Sequence, residues 1–250
     1  MENFFIYETE LPDGIGFSAY GPVHLSFLAG ILAAIFIILH FYNRSSRKTQ
    51  RRIYLATASA ALIMQVLMAV YFAAVGVNVI YSLPLHLCSL ASYLAFLHAV
   101  FNWDILGQSL FYPLMPGACC ALLFPDWTRY PVFSFMSLEG FLIHAAVILY
   151  VCMRLADGTI AASWNRIWKP VLFLVCWGVP VWIFDHVFFV NYGFLFEASY
   201  GSPLMGIQEK FGTTGYLAAY AGIIFGFMLL FYLAYGIIVR YRVRGKKPGQ

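Results

Sequence analysis

The chain has 250 residues, 62% hydrophobic and 10% charged, with a formal net charge of +4. Soluble domains run roughly 45–50% apolar and about 25% charged, so an ordinary water-soluble domain is excluded and an integral membrane protein is indicated. The small positive excess is gathered at helix ends, which argues against nucleic-acid binding.

A crossing of a ~30 Å hydrocarbon core needs about 20 apolar residues, so this length accommodates about seven crossings with short loops and no sizeable soluble domain. The first 20 residues hold Glu2, Glu8, Glu10 and Asp13 and no Lys or Arg. That is the opposite of a secretory leader, so no cleaved signal peptide is expected. Apolar runs then fall at about 22–42, 53–75, 83–101, 105–124, 135–153, 167–190 and 215–239, predicting a single all-α transmembrane domain built as a seven-helix bundle.

The first connection, 43–52, carries five basic residues, and the tail from Arg240 to Lys247 carries five more. Both are expected in the cytoplasm by the positive-inside rule, with the N-terminus outside and the C-terminus cytoplasmic. Arg154, Arg166 and Lys169 fall on the same side. Only Arg129 and Lys210 fall on outer segments, so 13 of the 15 basic residues are inside.

Within these spans, Pro84 after a candidate cap at Ser82 suits a first helical turn. Pro113 and Pro116 with Gly117 predict a kink in the fourth helix. The stretch from Asn191 to Gly215 is the one long loop, and its aromatic residues suit an interfacial segment, a lid or a plain connector.

Ionisable groups inside spans are costly and therefore candidates for function. Those toward the outer side are His24, His86, Glu139, His144, Asp185 and His186, while His40 and His98 lie toward the inner ends, where interfacial hydrogen bonding explains them. Counting from predicted helix ends puts His24 about 3 Å deep, His86 about 5 Å, His186 about 6 Å, Cys88 about 7 Å and His144 about 14 Å. Each histidine can be read as bonding a backbone carbonyl and Cys88 as a small apolar residue. Their clustering at one level favours a site.

His86 and Cys88, two apart, would point about 200° apart on a helix, so a nucleophilic Cys88 needs a histidine from another helix. His144 has Gly140 one turn nearer the surface on its own face, which leaves room above the imidazole for a partner or substrate. Cys88 in the second turn of its helix would gain little from the helix dipole. Cys119, Cys120, Cys152 and Cys176 read as packing or lipid-facing residues, and no disulfide framework is visible.

The stretch Leu83-Pro84-Leu85-His86-Leu87-Cys88-Ser89-Leu90, the pair Pro125-Asp126, Phe141-Leu142-Ile143-His144 and Asn191-Tyr192-Gly193-Phe194-Leu195 together resemble the transmembrane protein 164 family. Gly21-Pro22-Val23-His24 makes the resemblance closer to its short bacterial branch, the YwaF-type membrane proteins. The resemblance covers nearly the whole chain. It implies a seven-helix bundle and an acyltransferase acting on phospholipids through a cysteine and a histidine, which fall by motif on Cys88 and His144. It further implies a multi-pass protein of a bacterial plasma membrane, with phospholipids and lysophospholipids as partners. Two departures, Gly193-Phe194 in place of Met-Phe and Phe211-Gly212-Thr213-Thr214-Gly215-Tyr216 in place of Trp-Pro-Trp-Tyr, border the outer loop and imply altered substrate selection.

The expected reaction is a transacylation in which His144 activates Cys88 and an acyl-thioester forms on the way to a second lipid hydroxyl. His86, His24 and Asn191 are candidate oxyanion donors, and Asp185 is a candidate orienting group for His186 or His24. No cofactor or metal is called for. The rivals are a hydrolase with Zn²⁺ held by some of His24, His86, His144 and His186, although no regular ligand spacing supports one, and a non-enzymatic transporter or lipid-binding protein.

Overall fold

The computed structural model of the chain describes residues 3–198, 202 and 204–245, with side chains through residue 239. It is all-helical among the described residues. The helices are α1 (Pro22–Arg44), α2 (Arg47–Ala74), α3 (Val79–Ser82), α4 (Leu87–Phe101), α5 (Asp104–Ser109), α6 (Met115–Leu123), α7 (Phe135–Ala156), α8 (Trp168–Phe188) and α9 (Met205–Gly245). Six segments are long and apolar enough to cross a membrane, counting α5 through α6 as one. The shorter apolar α4, of 15 residues, stands where a seventh span was expected.

Burial divides these helices into two classes. In α7 and in α5–α6, 61% of the central window is buried, against 6% in α1, 11% in α8 and 6% in α9. The peripheral helices turn large apolar side chains outward, among them Phe36, Val187 and Leu230. In water such faces would be a liability, but in hydrocarbon apolar side chains on helices whose interior backbone groups bond within the helix are the stable arrangement. The buried centre is instead made of Leu110, Phe111, Tyr112, Phe141, Tyr150 and their neighbours.

Several boundaries differ from expectation for identifiable reasons. The basic connection at 43–52 is a tight turn at Ser45 and Ser46, because the Ser46 hydroxyl accepts the Thr49 N–H and starts α2 at Arg47. Pro113 lies in a single wide π-type turn, Leu110–Leu114, between α5 and α6. Such a turn absorbs the donor that proline lacks, so the expected kink is realised as a bulge.

Ser82 donates its hydroxyl to Val79 rather than capping a helix at Pro84, and the chain from Leu83 to His86 is non-helical. The long loop expected at 191–215 is partly helical, since α9 starts at Met205 and runs on past a break at Gly212, whose φ of +68° suits glycine. The basic residues Lys246 and Lys247 lie outside the described residues.

One end of the bundle gathers basic and polar groups. Arg154 donates to Asp157 at 2.8 Å and to the Asn102 side chain at 2.6 Å, and its guanidinium lies 3.9 Å over the Tyr54 ring. The Tyr42 hydroxyl donates to Asp157 at 2.6 Å, while Arg166 and Lys169 both pair with Asp104. His98, expected at this end, is buried there against the Tyr150 hydroxyl at 2.7 Å. These contacts join the ends of α1, α2, α4, α5, α7 and α8, so the basic residues near those ends share one side of the bundle.

At the opposite end an N-terminal arm folds back onto the bundle. Phe135 donates its N–H to Phe4 at 2.7 Å, the Tyr71 hydroxyl donates to Ile6 at 2.9 Å, and Phe17 donates to Thr128 at 2.9 Å. Phe4 and Phe5 of the arm form a connected set of ring contacts with Tyr71 and Phe135 of the bundle.

Candidate functional site

A cavity of about 220 Å³ opens at the arm-covered end, where the C-terminal turn of α2 meets the N-terminal turns of α4 and α7. Cys88, His86 and His144 all line it. Gln65, Asp126, Trp127 and Glu139 line it as well.

The position of Cys88 follows from where α4 begins. Proline disfavours helical conformation in the residue before it, which sets Leu83 extended. Helix geometry resumes only after His86, whose φ of −63° and ψ of 143° make it the N-cap. The first backbone bond of the helix runs from Leu90 N–H to His86 at 3.0 Å. Cys88 is therefore the second helical residue, in the first turn rather than the second. The N–H groups of that turn, those of Cys88 and Ser89 among them, have no partner within the helix. Since His86 is outside the helix, the wheel argument that separated it from Cys88 does not apply.

The His86 ring is held by a turn with left-handed backbone. Gly193, with a φ of +61°, donates its N–H to His86 Nδ1 at 3.2 Å. An accepting Nδ1 places the ring proton on Nε2. No other residue fits at 193, because a Cβ there would collide with the Trp177 indole, which itself donates to Leu85 at 2.9 Å.

His144 is fixed in the complementary tautomer. Its Nδ1 lies 2.5 Å from the Gly140 carbonyl, which can only accept, so Nδ1 carries the proton and Nε2 carries a free lone pair. His144 is 6% exposed and its Nε2 is buried without a hydrogen-bond partner. The ring stacks on Trp127 with centroids 5.4 Å apart and planes 17° apart.

Gly140 is what admits that indole: a Cβ there would stand 2.7 Å from its ring atoms. The room expected above the imidazole is thus filled by Trp127. The thiol and the imidazole share the cavity without a hydrogen bond between them.

Glu139, 7% exposed, faces the same cavity with no hydrogen bond or ion pair. Trp127 Nε1 and the Ser137 hydroxyl are also buried without partners. Glu139 was visible in the sequence as an intramembrane acid. Trp127 was not, because it reaches the site from the loop after α6 and nothing local links it to His144.

The remaining sequence candidates lie elsewhere. His24 is fully buried with both nitrogens engaged, Nδ1 accepting from Tyr20 N–H at 2.9 Å and Nε2 donating to Leu122 at 2.8 Å, so it fastens α1 to the end of α6. Asn191 closes its own loop, accepting from Phe196 and Glu197 and donating to the Glu197 carbonyl. Asp185 is buried and accepts the Tyr192 N–H at 3.0 Å. It makes no bond to His186, which is exposed and pairs with the Trp182 carbonyl at 2.8 Å. Among the described residues no three His, Cys, Asp or Glu side chains converge as metal ligands.

A profile of the TMEM164 family matches residues 19–239. No curated protein and no solved structure matches the chain. The match spans every membrane helix, the Cys88 turn and the His144 helix, and the chain belongs to the TMEM164 family.

Proposed function

We propose that this chain is a lipid acyltransferase in which Cys88 is the nucleophile and His144 the base. The observation that carries the reading is the His144 lone pair. A buried imidazole normally satisfies both nitrogens; here Nδ1–H is held by Gly140 and Nε2 is left without a partner beside the cavity that Cys88 lines. Base and thiol without a mutual hydrogen bond fit an unliganded site that tightens on substrate.

In the first half-reaction Nε2 takes the Cys88 proton and the thiolate adds to the carbonyl carbon of a phospholipid ester. The first-turn N–H groups of Cys88 and Ser89 receive the developing oxyanion, aided by Nε2–H of His86. Collapse breaks the ester C–O bond, and the departing lysolipid alkoxide takes the proton from His144, leaving an acyl-thioester. In the second half-reaction a lysophospholipid hydroxyl gives its proton to Nε2 and attacks the thioester. The thiolate leaves and is reprotonated, so no proton or electron is gained or lost.

The same reading puts the cavity end in the outer leaflet and the basic end in the cytoplasm of a bacterial plasma membrane, following the charge bias. It takes α4, extended by the stretch before it, as the seventh crossing. The relationship to the short bacterial branch rests on the sequence resemblance.

The test is a two-substrate assay in detergent with an isotope-labelled acyl phospholipid and an unlabelled lysophospholipid. Wild type is expected to move label into the lysophospholipid, with Cys88→Ala and His144→Gln inactive. Label released only as free fatty acid would make the chain a hydrolase, and full activity in Cys88→Ala would overturn the reading.

A further inference from the structure

A second cavity, of about 310 Å³, lies between α8 and α9. It is an apolar groove walled by Leu174, Trp177 and Gly178 on one side and by Tyr220, Ala221 and Ile224 on the other, with no charged residue in its lining. The two helices make their main packing contacts with other elements than each other. Helix α8 is held by α5 and the turn at 192–194, and α9 by the π turn and α6. Both flanks are among the least buried in the molecule, so the groove opens where hydrocarbon surrounds the bundle.

Hydrogen bonds tie both walls of this groove to the chain that forms the Cys88 cavity. Trp177 lines the groove and donates to Leu85, three residues before Cys88. The Tyr220 hydroxyl, on the facing flank, donates to the Gly193 carbonyl at 3.0 Å, and Gly193 in turn holds His86. The stretch from Leu85 to Cys88 therefore connects a compartment lined by Gln65, Asp126, Glu139 and His144 with one lined almost wholly by hydrocarbon.

A glycerolipid has the same division about its ester carbonyl, polar on one side and aliphatic on the other. We propose that the α8–α9 groove is an acyl-chain site: it takes one fatty-acyl chain of a membrane glycerolipid and presents its ester carbonyl to Cys88. The site rests on the acyltransferase reading, and it fixes which part of the substrate lies where. The aliphatic tail enters laterally from the bilayer, so the head group never has to cross hydrocarbon, where its desolvation would be prohibitive.

The groove can be filled without disturbing its walls, because a Cβ at Gly178 meets nothing within 4 Å. Gly30 in α1 is equally open and serves as the control for a bulky residue on a lipid-facing helix. The probe is a phosphatidylcholine carrying a diazirine in one acyl chain, photolysed in micelles with Cys88→Ala protein, which performs no chemistry. Peptide mapping is expected to place label on Leu174, Gly178, Ala221 and Ile224, competed by the same lipid without diazirine. Label there should fall about tenfold in Cys88→Ala carrying Gly178→Phe and stay unchanged with Gly30→Phe.

In the otherwise wild-type protein, Gly178→Phe should shift the acyl groups found on Cys88 toward shorter chains. Label spread evenly over the exposed faces of α1, α8 and α9 and indifferent to Gly178→Phe would overturn the site, as would an unchanged chain-length profile. An absence of any acyl adduct in wild type, with competed label still in the groove, would count against Cys88 chemistry alone and leave the chain site standing.

Discussion

At the basic end of the bundle Arg154 is only 4% exposed, yet its guanidinium meets Asp157, Asn102 and the face of Tyr54, and Asp157 also receives the Tyr42 hydroxyl. At the cavity end, His144 Nε2, Trp127 Nε1 and the Ser137 hydroxyl are as deeply buried and have no partner, and Glu139 stands unpaired beside them. Both ends place polar groups in a low-dielectric medium, where an unmet hydrogen bond costs about 1–3 kcal/mol. The basic end meets much of that cost with ion pairs and shared hydrogen bonds, although Arg154 Nε and Gln108 Oε1 are left without partners. At the cavity end the unmet atoms include the Nε2 of the histidine that shares the cavity with the thiol. Polar groups that saturate one another hold helices together, whereas polar groups held open around a thiol at a helix start are what the proposed acyl transfer requires.

This contrast can be broken most decisively at Cys88. Replacing it with Ala is expected to lower acyl transfer about a thousandfold or more while leaving thermal unfolding unchanged, as read by paired activity and melting measurements. His144→Gln should lower transfer about a hundredfold to ten-thousandfold and also prevent thioester formation. The basic end should respond in the opposite sense. Arg154→Met leaves Asp157 without its cation in a nearly closed site and should destabilise the fold by about 3–5 kcal/mol, with acyl transfer per folded molecule intact. A drop in Tm without a drop in specific activity is the signature.

Between these extremes lies Gly140→Ala, whose added methyl must push Trp127 off His144. It is expected to cost about 1–3 kcal/mol in stability and to slow transfer as well, because it moves both the stacking partner and the base. Gly117→Ala, where a Cβ meets open space, should do neither. The smallest measurable loss is expected from Tyr42→Phe, which removes one hydrogen bond to Asp157 and should cost about 1 kcal/mol in a denaturation series with no kinetic consequence.

The helices were legible because hydrocarbon demands long apolar runs, and most observed ends fall within a few residues of the runs that predict them. The cysteine and the two cavity histidines were legible for the same reason, as rare polar groups in apolar surroundings. Their arrangement was not.

An apolar stretch such as Leu83-Pro84-Leu85-His86 reads like the start of a span, and only the contacts of Trp177 and Gly193 with Leu85 and His86 show that it is an irregular wall. Trp127 and Gly140 illustrate the same limit, for their fit depends on a loop and a helix meeting in space. His24, by contrast, looked identical in sequence to a site histidine, and it is the engagement of both its nitrogens by Tyr20 and Leu122 that marks it as a fastening between helices.

The most direct test of the Cys88–His144 account is intact-protein mass spectrometry of the detergent-purified chain after brief incubation with a mixed phospholipid pool. The account predicts a hydroxylamine-labile fatty-acyl mass on wild type that is absent from Cys88→Ala and from His144→Gln. An adduct that persists in Cys88→Ala, or none in wild type when no lysolipid acceptor is supplied to discharge it, would contradict it.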